Sequence, residues 1–365
     1  MSNLLFCMTP GVGLKDWQEN GSLERELKPL VGYARRGWKV KILTFDRGEL
    51  PVLPKGIEAV RFPSRRFLWF LPWACRELGS WADVIRTNQS VHVYFYTTAA
   101  RFWKKPILIR CGYVHGESLE TDNGLIPKVR LYQWLEGRAF RKATHCQVPT
   151  EELAEWITKR YKVPGEKVSV VPNFVDTATF KPVEGISKME RSVISVGRLD
   201  PVKRFDRLIR ACAEIPGCRL TIIGEGPQRE CLKGLAEQLG LALDLPGNVL
   251  NEKLPELLSR HEIFAITSKR EGNPKALIEA MACNMATIGV DAPGVRNVIK
   301  DGWNGLLCAS DPRGLSDAII RLFEDFALRK EIGENAGTFI RSKYDQDIVF
   351  SAEMQTIENI LNYRS

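Results

Sequence analysis

Residues 192–212 read SVISVGRLDPVKRFDRLIRAC, and the reading of this stretch decides the fold. SVISVG is small and β-branched up to Gly197, as a buried strand requires. From Phe205 onward Leu208, Ile209 and Cys212 recur on one helical face. Strand, short loop and amphipathic helix form the unit from which parallel sheets are built. At such a junction the unpaired N–H groups of the helix start point outward and attract anions. Arg198 and Lys203 lie in the loop and would add two positive charges, a set suited to a diphosphate; a solvated turn fits this segment alone equally well.

The alternation extends in both directions. Upstream, LLFCMT (4–9), WKVKILTF (38–45), DVIRTN (83–88), PILIRC (106–111), HCQVPT (145–150) and VSVVPN (168–173) read as strands. CRLTIIG (218–224), EIFAIT (262–267) and MATIGV (285–290) do so downstream. The pattern restarts after the polar stretch KPVEGISKMER (181–191), so the α/β chain divides into two Rossmann-like domains, 1–182 and 183–347. A length of 365 residues also favours two cores over one.

The composition is that of a globular protein, with 44% hydrophobic and 26% charged residues. No apolar run approaches the roughly 18 residues of a spanning helix. MSNLLFCMTPG lacks a basic leader and reads as a first strand, which implies a cytoplasmic protein. Nine scattered cysteines without a C-x-x-C pair argue against a disulfide framework or a zinc site. Charge is uneven: residues 1–182 hold 28 Lys/Arg against 18 Asp/Glu, net +10, whereas 183–365 hold 24 against 26, net −2. The first half therefore expects an anionic partner, such as a membrane surface or an acidic acceptor. Nucleic acid is the weakest of these, because no binding module is present.

In EGNPKALIEAMACN (271–284), Glu279 interrupts an apolar helix face, where a carboxylate needs a partner or a ligand. Asn273 and Pro274 read as N-cap and first residue of that helix, and Gly272 would let a ligand approach the backbone. Helical side chains lean toward the N-terminus, so Glu279 is aimed back toward Glu271. Two such carboxylates can accept hydrogen bonds from two sets of hydroxyls on one ligand. A buried ion pair with Arg or Lys is the competing explanation.

These blocks, with LTIIGEGPQRECL (220–232) and GVRNVIKDGWNGLL (294–307), resemble the C-terminal domain of the family-four retaining glycosyltransferases. That family's signature is two glutamates separated by seven residues, the spacing of Glu271 and Glu279. The resemblance implies a GT-B fold, with two Rossmann-like domains facing each other across a cleft and a C-terminal helix, here 348–365, crossing back to the N-domain. It also implies transfer of a sugar from a UDP- or GDP-linked donor to a glycan or lipid-linked hydroxyl acceptor, as a hexosyltransferase in cell-surface polysaccharide or glycolipid assembly. Arg198 and Lys203 would then neutralise the donor diphosphate together with the amides at Asn273. Glu279 would accept from the ribose and Glu271 from the transferred sugar. Gly197, Gly224, Gly226 and Pro227 would shape turns beside the nucleotide, with Gly247, Asn248 and Val249 near the base. No cofactor and no metal is expected.

The N-terminal half departs further from the pattern. Gly21-Ser22 is the nearest candidate for the family's glycine pair after the first strand. His115-Gly116 is the nearest to a histidine that members place directly after PILIR (106–110), where Cys111-Gly112 stands instead. His115 is thus a displaced catalytic group or a loop histidine; His92, His145 and His261 read as structural. Asp345-Gln346-Asp347 has the form of a metal-binding triplet, but its place before a helical pattern favours capping. RRFLWFLPWACRELGSW (65–81) is expected to pack, with peripheral contact to an anionic membrane as its second reading. Two other functions fit the same outline: a nucleotide-sugar 2-epimerase and a catalytically weak binding subunit.

Overall fold

In the computed structural model, which describes residues 2–362 apart from 20 and 125, the chain forms two all-parallel sheets. The first contains β1 (Asn3–Cys7), β2 (Lys39–Thr44), β3 (Ile57–Arg61), β4 (Val84–Thr87), β5 (Ile107–Arg110), β6 (His145–Val148) and β7 (Val168–Val170), in the order β3-β2-β1-β4-β5-β6-β7. The second contains β8 (Ser192–Val196), β9 (Arg219–Ile223), β10 (Ala242–Gly247), β11 (Ile263–Ile266), β12 (Ala286–Val290) and β13 (Leu306–Cys308), in the order β10-β9-β8-β11-β12-β13. Central strands such as VIRT, ILIR and IFAI are buried at every residue, because helices cover both faces of a parallel sheet. Strands β3, β10 and β13 were not expected from the sequence. IEAVR and ALDLPG are edge strands with residues open to solvent, so they lack the apolar run that marks an interior strand. In each sheet the order reverses direction beside the first strand, between β1 and β4 and between β8 and β11. Loops leaving such a switch point diverge and open a crevice outside the carboxyl ends of the strands.

The chain separates into residues 1–172 with 350–365, and residues 173–349. The sequence places this division at 182/183, but Val175 and Phe180 are buried in the second unit's core. Val175 also forms a parallel bridge with Asp345: its N–H donates to Tyr344 O at 2.9 Å, and its carbonyl accepts from Gln346 N at 2.9 Å.

The C-terminal helix, Gln346–Asn362, adds Met354, Ile357 and Ile360 to the first unit's core. Residues 363–365 of the expected helix 348–365 lie outside the described residues. Asp345 accepts from Asp347 N at 2.9 Å and from the Thr177 hydroxyl, so the first carboxylate of the triplet serves the helix start. Glu353 is buried between Arg86 Nε at 2.7 Å and Arg110 Nε at 3.2 Å, and it accepts from Tyr33 OH at 2.9 Å. Burial alone would raise its pKa; Arg86 and Arg110, with hydrogen bonds from Arg86 and Tyr33, hold it at about 2.

The segment 65–81 packs through Leu68, Leu71, Pro72 and Leu78, whereas Phe67, Trp69, Phe70 and Trp73 are exposed. Of the segment's aromatics Trp81 packs against the core, and aliphatic residues do the rest of the packing expected of the aromatics. Among the described residues no helix is long and apolar enough to cross a membrane.

Candidate functional site

The second switch point gathers most of the residues singled out in the sequence. Gly197 N donates to Ile223 O, Leu199 N to Glu225 O and Gln228 N to Leu199 O, each within 3.0 Å, so the loops after β8 and β9 are locked backbone to backbone. Gly224 makes that approach possible: its φ is 142°, and a Cβ there would stand 2.0 Å from the Gly197 carbonyl oxygen. Gly224 N also donates to Gly247 O at 2.9 Å, and the Gly226 carbonyl accepts from Arg229 N at 3.2 Å. The glycines thus set the position of the loop that carries Arg198 and Lys203.

Within that loop Asp200 accepts from Val202 N at 3.1 Å and starts the short turn Pro201–Lys203. Arg204, at φ 54°, then redirects the chain into helix Phe205–Ala213. The turn is stitched to the loop after β11: Lys269 N donates to Val202 O at 2.9 Å, and the Thr267 hydroxyl donates to Lys203 O at 2.7 Å. Lys203 Nζ consequently lies 2.6 Å from Glu271 Oε1, which also accepts from the Ser268 hydroxyl at 2.6 Å. The pair is not sealed, since the two side chains keep 23% and 16% of their exposure. Arg198 is exposed and makes no ion pair among the described residues. Ser268, missed in the sequence, had one signal: it stands three residues before Glu271.

Asn273 does not cap the following helix. Its side-chain oxygen accepts from Asn173 N at 2.9 Å, and its carbonyl accepts from Asn173 Nδ2 at 2.6 Å. Pro274 takes the cap position, no side chain caps the helix, and the helix runs Lys275–Ala282. With Asn273 engaged elsewhere, no side chain competes with a ligand for the dipole at that helix start, beside Gly272 and Glu271. Glu279 is 5% exposed on this helix, and Asn251 Nδ2 makes a long 3.5 Å contact with its Oε1. That contact brings the chain following Gly247, Asn248 and Val249 beside Glu279.

His115, Gly21 and Ser22 belong to the first unit, and the other candidates to the second. Gly21 and Ser22 do not lie in the loop that directly follows β1; they come after helix Leu14–Glu19, ahead of helix Leu23–Arg35. At the start of helix Leu14–Glu19 the buried Asp46 carboxylate accepts from Leu14 N at 2.7 Å, Lys15 N at 2.9 Å and the Thr44 hydroxyl at 2.6 Å.

His115 is the first residue of helix His115–Asn123, with its N–H donating to Ser90 Oγ at 2.9 Å and its ring edge-on to Tyr132 at 5.0 Å. Burial, then His92, lowers its pKa, which favours the neutral imidazole at pH 7. The buried Glu136 accepts from Gly116 N at 2.8 Å and from Tyr161 OH. Burial raises Glu136 to about 7 despite these hydrogen bonds. A Cβ on Gly116 would stand 2.5 Å from that carboxylate, which accounts for the glycine of the His-Gly dipeptide.

Two family models match consecutive parts of the chain: Glycosyl transferases group 1 over residues 176–339 and Glycosyltransferase Family 4 over residues 30–179. Both models describe glycosyltransferases, and together they cover residues 30–339 of the chain. N-acetyl-alpha-D-glucosaminyl L-malate synthase from Bacillus anthracis is 27% identical over 52% of this chain and 52% of its own length. The chain thus spans about half the length of such curated relatives. Among solved structures, sucrose-phosphate synthase from Thermosynechococcus elongatus covers 100% of both chains with a TM-score of 0.82 at 19% identity. Anabaena Alr3699/HepE in complex with UDP covers 98% of this chain and 100% of its own with a TM-score of 0.79 at 18% identity. The fold is GT-B, two parallel-sheet α/β domains, as the sequence resemblance implied.

Proposed function

We propose that this glycosyltransferase moves a sugar from a nucleoside-diphosphate sugar to a hydroxyl acceptor with retention at the anomeric carbon, in the assembly of a surface polysaccharide or glycolipid. The observation that carries the reading is the Lys203–Glu271 pair at 2.6 Å, partly open to solvent beside a helix start that no side chain caps. A cation, a free helix dipole and a carboxylate acceptor are what a diphosphate attached to a polyol needs within one small volume.

In this reading Lys203 exchanges Glu271 for the donor diphosphate, and Arg198 joins it from its exposed position. Glu271, released from Lys203, accepts from hydroxyls of the transferred sugar, and Glu279 accepts from the ribose beside residues 247–249. The bond between the anomeric carbon and the diphosphate oxygen breaks, and its electron pair leaves with the nucleotide. The acceptor oxygen bonds to the same carbon on the face the diphosphate leaves and passes its proton to the departing diphosphate oxygen, which the positive side chains stabilise. The positive side chains carry this load without a metal, so we expect turnover to persist in excess chelator. UDP, the ligand of Alr3699/HepE, is the first nucleotide to test. Nine free thiols suit a reducing cytoplasm.

The test is to incubate the protein with UDP- and GDP-sugars, with and without a hydroxyl acceptor, and to follow nucleoside diphosphate. Acceptor-dependent release is expected. Conversion of the donor to its 2-epimer, or failure of every donor to be consumed, would overturn the proposal.

A further inference from the structure

The first unit carries a surface that the catalytic reading leaves unused. Phe67, Trp69, Phe70 and Trp73 are 53–65% exposed, yet their backbone is well anchored. Leu68 and Leu71 are buried beneath them, and Trp103 Nε1 donates to Pro72 O at 2.8 Å. Trp69 stacks edge-on against Phe95 at 4.8 Å, and Trp73 stacks against Phe102 at 5.3 Å. Phe95 and Phe102 lie seven residues apart on helix Val93–Phe102, two turns along one face, so the rings form a strip about 10 Å long.

A pocket of about 310 Å³ opens at the C-terminal end of the same helix, lined by Arg101, Lys104, Lys105 and Lys142 with Ile107 and Thr144. The three segments that build this face, residues 65–81, 93–105 and 127–142, hold eleven Lys/Arg and two carboxylates, the exposed Glu77 and the fully buried Glu136. Amphipathic aromatics, backed by cations that far outnumber the one exposed acid, match the headgroup layer of an anionic bilayer. Trp settles at that depth, while each nearby Lys or Arg strengthens binding by about fivefold. A protein partner would have to present an acidic face and an aromatic-accepting groove together; a bilayer supplies both without shape matching.

We propose that this face docks the protein on a bilayer containing anionic lipid, with Trp69, Phe70, Trp73 and Phe102 seated among the headgroups and the Arg101–Lys142 pocket holding a lipid phosphate. The charge excess of the N-terminal half then has a location, and the aromatics of 65–81 have a partner.

The proposal is tested by co-sedimentation of the full chain with vesicles of phosphatidylcholine, alone or mixed with phosphatidylglycerol. The wild type binds the mixed vesicles and leaves the neutral ones. The double variant Phe70→Ala/Trp73→Ala lowers partitioning by about tenfold or more, and Lys104→Glu/Lys142→Glu does so by more than about tenfold. Both variants keep the wild-type melting temperature and nucleotide affinity, since the altered side chains are exposed and lie in the other unit. Equal binding to both vesicle types, no binding to either, or full binding by the aromatic variant would overturn the proposal. So would a wild-type dimer that Trp73→Ala converts to a monomer, which would assign the strip to a second copy of the chain. Turnover on a soluble acceptor is measured separately, so failure here leaves the catalytic reading standing.

Discussion

The two switch points share a topology and differ in who satisfies their charges. At the first, the protein does so itself: Asp46 accepts the helix-start amides of Leu14 and Lys15, and Glu353 neutralises Arg86 on β4 and Arg110 on β5. The Arg86–Glu353 side chains are 8% and 5% exposed. At the second, helix Lys275–Ala282 has no side-chain cap, and the Lys203–Glu271 pair keeps 23% and 16% of its exposure. A sealed ion pair can be broken only by leaving an uncompensated buried charge. A half-open pair can trade its partners for a ligand's phosphate and hydroxyls. On the proposed reading, the crevice that the fold supplies twice becomes an anion site only where internal carboxylates have not already filled it.

This contrast can be broken by removing each carboxylate or cation in turn. The largest effect is expected from Glu353→Ala, which strands Arg86 and Arg110 and should destabilise the first unit by about 3–5 kcal/mol in a denaturant melt. Acid titration gives the same information without mutation. Because the folded pKa of Glu353 is depressed to about 2, its contribution is fully present above the unfolded value near ~4.3 and is lost as pH falls toward 2. Wild-type stability should decline across that window, and the decline should be shallower in Glu353→Ala. If the two curves run parallel, Glu353 is not the clamp described.

Next comes Lys203→Ala. It should lower turnover by about a hundredfold or more, as loss of one preorganised charge on a leaving group does, with little change in melting temperature. A stability loss larger than the loss of turnover would make the pair structural, like its counterpart in the first unit. Asp46→Asn should behave in the opposite way, lowering stability by about 1.5–3 kcal/mol while leaving nucleotide affinity unchanged. The smallest effect is expected from Glu279→Gln, about tenfold in nucleotide affinity by calorimetry, the value of one hydrogen bond to a charged acceptor. Unchanged affinity would remove Glu279 from the ribose role.

The second unit was legible in its sequence because its candidate site residues lie in short contiguous blocks next to strongly patterned elements. SVISV and IFAI are interior strands, so the loops after them, with Arg198, Lys203 and Glu271, could be located. Asn273 was misread as a cap because its partner Asn173 lies 100 residues away, a contact no local pattern encodes. The first unit was harder for the same reason. Asp46 reaches a helix start 31 and 32 residues upstream, and Glu353 reaches Arg86 across 267. Nothing near Gly21-Ser22 shows that helix Leu14–Glu19 separates them from β1. The aromatic segment 65–81 was read by composition, which does not tell which side of a short helix faces the core; the aliphatic residues took the inside.

The account rests on the second switch point being an open diphosphate site, and calorimetric titration of UDP and GDP into the wild type and Lys203→Ala measures this most directly. One of the two nucleotides should bind the wild type and bind Lys203→Ala at least about tenfold more weakly, as expected for loss of a charge-assisted contact to phosphate. Failure of both nucleotides to bind the wild type, or equal affinity for the two proteins, would contradict it.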